Sequence, residues 1–280
     1  MTEKSKNMAL ALFILASVAG CATNPKCESE IENASYTGAY RGTDNNLNAY
    51  ELNRDITCAT VFRDKKYPSG FVTIYGSSRI GENNSLPDSE AARENDAIYE
   101  LVMSFAEEWT SKNGAKYPIM TGAGPGVMEA GSRGAMKAGG PSIGYTTYYD
   151  PEPRGDAAEA FWTYNGQKII TDGLVFSSVA IREYSMILHS AAYVIAPGGT
   201  GTEWETYQIL ESLKSNQLNK APVYFIGNKE AHWKSFYIRL NDMVRRGTIK
   251  DGEVTRHIVH IEKASDLVER LERDLLAAQP

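Results

Sequence analysis

The chain has 280 residues, with 29 Lys and Arg against 35 Asp and Glu, a net charge of −6, and 42% hydrophobic residues. That length and apolar content suit one large domain or two small ones with a proper core, which excludes a largely disordered chain. The acidic balance, with no clustered Lys/Arg face, excludes a DNA or RNA duplex as partner, because neutralising a phosphate backbone needs a basic surface.

Residues 1–20 read as an address. Lys4 and Lys6 precede an apolar run over residues 8–18, and Val18-Ala19-Gly20-Cys21 ends it with small residues before a cysteine. The run is too short to span a bilayer comfortably. The segment resembles the lipobox of bacterial lipoproteins; an ordinary signal peptide or a single anchoring helix are the alternatives. The resemblance implies cleavage before Cys21 and acylation of that cysteine, palmitate included. The mature chain would then be membrane-anchored outside the cytoplasm, with Ala22 pointing to the periplasmic side of the outer membrane. Cleavage removes Glu3, Lys4 and Lys6 and leaves a net charge of −7. Cys27 and Cys58 remain, and an oxidising compartment is compatible with a disulfide between them or with two unpaired thiols.

Residues 21–69 read as a tether and N-terminal extension. Asn24-Pro25 and the polar stretch 42–48 carry no apolar period, so no packed element is expected there. Residues 70–280 then alternate between short apolar runs and amphipathic stretches. Strands are predicted at 71–75, 117–121, 142–145, 174–176, 192–196, 223–226 and 258–261, and helices at 88–112, 126–138, 180–190, 202–218, 232–246 and 265–278. This alternation implies one α/β domain, a doubly wound, mostly parallel, Rossmann-like sheet with helices on both faces and ligands at the strand carboxyl ends.

Three glycine-containing turns fall at those ends: Gly76-Ser77-Ser78-Arg79, Gly122-Ala123-Gly124-Pro125-Gly126, and Pro197-Gly198-Gly199-Thr200-Gly201-Thr202. Glycines let backbone amides approach an anion, and a helix N-terminus favours phosphate there. Tight strand-to-helix turns also need glycine for steric reasons alone, so one such turn would say little. The dinucleotide fingerprint does not fit, since the third glycine of residues 122–126 comes too early, and Gly201-Thr202 lacks the lysine of a Walker loop.

Pro197-Gly-Gly-Thr-Gly-Thr-Glu-Trp-Glu205 resembles the P-G-G-x-G-T-x-x-E signature of the LOG ("lonely guy") family of nucleoside 5′-monophosphate phosphoribohydrolases, often labelled lysine decarboxylases. Residues 121–130 are similar to the family's G-G-G-P-G-x-M-x-A turn, Gly76-Ser-Ser-Arg79 to its G-S-x-R turn, and Arg182-Glu-Tyr-Ser-Met186 to its R-K-x-x-M helix. The resemblance implies Glu205 and Arg182 as the catalytic pair. It implies Gly198, Gly199, Thr200, Gly201 and Thr202 around the 5′-phosphate, with Ser77, Arg79, Gly124 and Met128 lining the nucleotide site. It further implies a homodimer with the site near its boundary, and hydrolysis of a purine-type nucleotide without metal or redox cofactor. A non-catalytic nucleotide-binding or sensor lipoprotein is the alternative.

The chemistry agrees with that resemblance. Glycosidic C–N cleavage builds positive charge at the anomeric carbon, so a carboxylate is wanted beside it. Glu205 falls about one turn inside a predicted helix whose first amides would hold the phosphate, and the helix dipole there favours its ionised form by roughly 0.3 to 1 kcal/mol. Glu203 and Glu205 read otherwise as ordinary first-turn acids, and Arg182 as a surface ion-pair partner. The chain departs from the family pattern at Ala123, Glu183 and Trp204 and in an insertion at 146–172. Tyr145, Tyr148, Tyr149, Phe161, Trp162 and Tyr164 form an aromatic group around that insertion, as a base-stacking lid or as simple packing. His257 and His260 lack the partners of a metal site, and His189 reads as a helix-surface histidine. No lysine is marked for Schiff-base chemistry.

Overall fold

The computed structural model describes residue 27 and residues 37–81, 89–148 and 163–276. Strands β1 (Phe71–Tyr75), β2 (Ile119–Thr121), β3 (Ser142–Thr147), β6 (Asp172–Phe176), β7 (Ser190–Ile195), β8 (Val223–Ile226) and β9 (Ile258–Ile261) form one sheet in the order β6-β3-β2-β1-β7-β8-β9. Every pairing in it is parallel. A small antiparallel hairpin, β4 (Thr163–Tyr164) and β5 (Gln167–Lys168), lies apart from it.

β1 illustrates why these segments are strands. All five residues of Phe71-Val-Thr-Ile-Tyr75 are buried, as a central parallel strand covered on both faces requires. Its side chains alternate, with Phe71 and Tyr75 entering one core and Val72 and Ile74 the other. The first core is closed by helices α1 (Ala49–Lys66), α4 (Val179–His189), α5 (Thr200–Lys214) and α7 (Lys234–Arg245), through Phe62, Met186, Leu210 and Leu240 among others. The second is closed by α2 (Glu90–Asn113), α3 (Val127–Lys137) and α8 (Ala264–Leu276), through Val102, Phe105, Ala130 and Leu271. A short helix, α6 (Lys229–His232), precedes α7, so the stretch expected as one helix over 232–246 is divided at Trp233.

The N-terminal extension departs from expectation, because α1 is a packed element. Asn48 and Glu51 form a reciprocal capping box, and Glu51, Asp55, Cys58, Ala59 and Phe62 are buried along one face. Asp55 accepts hydrogen bonds from Ser177 N (2.7 Å), Ser177 Oγ (3.1 Å) and Ser178 N (3.3 Å), just before α4. Cys58 is disulfide-bonded to Cys27. Thr37 bridges Val175 in parallel, and Gly38 N donates to Val175 O, so the extension also borders β6. Two acids among five inward positions hide the apolar period from a sequence reading.

Candidate active site

The chain runs from β1 outward through β2, β3 and β6, then crosses back to β7 on the other side of β1. That reversal opens a crevice at the carboxyl ends of β1 and β7, the place where doubly wound sheets take ligands. Ser77 N donates to Pro197 O (3.2 Å) and Val127 N to Ser77 O (3.0 Å), so all three glycine turns meet there. They enclose a cleft of about 720 Å³.

Ser77, Arg79, Gly124, Met128, Arg182, Gly199, Thr200, Gly201, Thr202 and Glu205 all line this cleft. Gly198 does not; it makes room for the Thr202 side chain, which a Cβ there would strike. Cys21 lies outside the described residues. Gly199 caps α5 without any side-chain cap, leaving the first amides of that helix open to a ligand. At Gly199 and Gly201 a Cβ would meet nothing within 4 Å, and neither has positive φ. The fold itself therefore gives no reason for glycine at either position. Gly126 is different: its φ is +72°, and a Cβ would lie 2.5 Å from Ser77 O, so the turn requires it. Ala123, where the resemblance leads one to expect glycine, has φ +55°.

The catalytic candidates approach from two helices. Ser178 caps α4, its Oγ accepting from Ile181 N (3.3 Å) and donating to Asp44 Oδ2 (2.7 Å). Arg182, one turn further, is buried under the turn after β2, where a Cβ on Gly122 would come within 2.6 Å of its Nη1. Its Nη2 is hydrogen-bonded to Glu183 Oε1 and stands 3.6 Å from Glu205 Oε1. Burial pushes the Glu205 carboxyl up to about 7, with the Arg182 guanidinium opposing. Loss of hydration thus works against the preference for the ionised form that the helix dipole gives. The surface ion-pair reading of Arg182 does not survive, because its side chain is buried, as is that of Glu205.

Other expectations fare differently. His189 is buried rather than at the helix surface; its Nδ1 contacts Tyr145 Oη (3.0 Å), and burial, with Arg63, pushes it down to about 3. Of the aromatic group, Tyr145 is a core residue, Tyr148 donates to Gly38 O (3.0 Å), and the Tyr164 ring lies 3.9 Å from the Arg133 guanidinium. None of these three lines the cleft; Tyr149, Phe161 and Trp162 lie outside the described residues. Among the described residues no His, Cys, Asp and Glu cluster fit for a metal occurs. Sequence reasoning did not place Gly122, Thr146, Glu183 or Trp204 in the site, yet all four line the cleft. The one available signal was the position of Glu183 and Trp204 beside the two catalytic candidates.

Sheet and cleft together define a Rossmann-like α/β protein with its ligand site at the topological switch point. The chain belongs to the LOG-like family described as "Possible lysine decarboxylase", which matches residues 128–271, just over half of its length. No lysine occurs among the described residues lining the cleft. No curated protein matches the chain. Solved structures of similar course include the structural-genomics target TM1055, with TM-score 0.47 and 18% identity over 73% of this chain and 99% of that one. The molybdenum cofactor carrier protein of Chlamydomonas reinhardtii gives TM-score 0.46 and 18% identity over 74% and 98%. The molybdenum cofactor binding protein of Rippkaea orientalis gives 0.42 and 18% over 72% and 93%.

Proposed function

We propose that this protein hydrolyses the N-glycosidic bond of a nucleoside 5′-monophosphate, purine in type, to free base and ribose 5-phosphate. The observation that carries the reading is the buried Arg182–Glu205 pair, 3.6 Å apart, facing the same cleft as the uncapped start of α5. The amides of residues 200–202, with Arg79 at the exposed turn after β1, would take the phosphate. Glu205 follows Thr200 by five residues, about 7.5 Å along the helix axis, on the order of the length of a ribose 5-phosphate. The anomeric carbon then comes to the carboxyl. As the C–N electron pair leaves with the base, Glu205 supplies a proton to the departing nitrogen. Water adds at the anomeric carbon and returns one proton to the Glu205 carboxylate.

The test is release of free base from a panel of nucleoside monophosphates by the purified protein beside Glu205→Gln. Loss of roughly 100-fold to 10,000-fold in rate is expected for the variant. If neither protein releases base while both bind AMP in calorimetry, the chain is instead a nucleotide-binding lipoprotein.

The same reading has the mature chain anchored through a lipid on Cys21, outside the cytoplasm. The Cys27–Cys58 disulfide supports this, because such bonds persist in oxidising compartments. No helix among the described residues is long and apolar enough to cross a membrane. Palmitate labelling that survives Cys21→Ser would defeat the anchor. A homodimer is supported by Tyr184 and Leu188, two exposed apolar residues on the helix that carries Arg182, and sedimentation checks it.

A further inference from the structure

The floor of the cleft holds one more carboxylate than its guanidinium balances. Arg182, Glu183 and Glu205 have side chains only 6%, 4% and 11% exposed. Ionised together, they would leave the trio negative in a place with little water, and an unbalanced buried charge is costly. Two carboxylates sharing a site do not both ionise readily, so one retains a proton. Geometry decides which. Glu183 Oε1 has the direct hydrogen bond to Arg182 Nη2, whereas Glu205 Oε1 stands back at 3.6 Å.

Among the described residues, the other groups around Glu205 do not restore the balance. From β1, Tyr75 faces it with a neutral phenol. On α5 itself, Glu203 is another acid, but it lies outside the cleft lining and brings no positive charge. From α4 come Arg182 and Glu183 themselves. Arg79 lines the same cleft from the turn after β1, and it is exposed to solvent. Glu183 Oε2 has no hydrogen-bond partner among the described residues, so Glu183 is tied to the site through Oε1 and Arg182.

We propose that Glu183 is a positioning residue that engages Arg182 and thereby leaves Glu205 as the proton carrier of the site. The catalytic consequence rests on the hydrolase reading above; the proton's location does not. With Glu183 holding the guanidinium, Glu205 enters the reaction protonated and gives that proton to the departing base. Its ordinary value in an exposed site would leave it empty-handed at neutral pH, and its raised value in this one agrees with the proposal.

The experiment is a titration of the Glu205 carboxyl by NMR of the full chain carrying ¹³C-labelled glutamate, assigned with Glu205→Gln, in the parent and in Glu183→Gln. Base release is followed against pH in parallel. In Glu183→Gln the Arg182 guanidinium has lost the Glu183 carboxylate and Glu205 is the carboxylate that still faces it, so the Glu205 midpoint and the alkaline limb of activity should both move down by a pH unit or more, a tenfold loss at a pH above the new limb. A purely structural role would lower the rate and leave both midpoints in place, which overturns the proposal. If the midpoint moves and no protein releases base, the proposal stands and the hydrolase reading falls. If Glu183→Gln does not fold, the parent decides alone: a Glu205 midpoint in the ordinary carboxylate range overturns the proposal, and one well above that range supports it.

Discussion

At Gly201 the demands of folding and of ligand binding come apart. The residue sits in the first turn of α5 with open space where a Cβ would go. Alanine there should raise stability by roughly 0.5 to 1 kcal/mol, because glycine in a helix gives up more backbone freedom than alanine. The added methyl should at the same time weaken nucleotide binding, since on the proposed function it would stand where phosphate oxygens approach the amides. Melting curves with and without AMP check this: the variant should melt higher alone and gain less from the nucleotide. Ala123 shows the reverse arrangement. A left-handed backbone costs a non-glycine residue roughly 1 to 2 kcal/mol, and its buried methyl, packed in a cluster with Ile170 and Val175, returns part of that.

Among the elements, α1 has the largest unforeseen part. Through Asp55 it holds the backbone of Ser177 and Ser178, and Ser178 in turn caps the helix that carries Arg182. Its bond to Cys27 closes a loop with a sequence separation of 31 residues. Reducing that bond should lower stability by roughly 2 to 4 kcal/mol, seen as a lower urea midpoint in reductant. The sheet was legible because its strands are short apolar runs ended by glycine turns, as in Phe71-Val-Thr-Ile-Tyr75 before Gly76. The cleft was legible because three such turns stand at strand ends. The extension was not, because the groups that make its buried acids tolerable lie outside the helix: Arg41, ten residues before Glu51, and for Asp55 the distant Ser177 and Ser178. His189 was misplaced for the same reason, its partner Tyr145 being 44 residues away. The effect of burial on Glu205 was not legible, because the helix dipole is a local property and burial is not.

For the whole molecule, two buried groups pull stability in opposite directions with pH. Glu205 is raised from 4.5 to about 7, so between those values the folded chain keeps a proton that the unfolded chain has lost, and stability falls as pH rises through that window. His189 is lowered from 6.5 to about 3, so the unfolded chain takes up a proton that the folded one refuses, and stability rises with pH up to 6.5. Above 6.5 the Glu205 contribution is alone of the two. Glu205→Gln should therefore gain stability over the parent between pH 5 and pH 8, by roughly 1 to 3 kcal/mol. Urea unfolding of both proteins at the two pH values measures it, and a difference that stays constant would refute it. The disulfide also bears on the order in which the chain can assemble as it enters an oxidising compartment. Both its cysteines lie within the first 58 residues, whereas the serines that Asp55 holds follow it by 122 and 123 positions. The staple can thus close while most of the sheet has yet to emerge, so that α1 waits as a preformed half-clasp for the segment leading into α4.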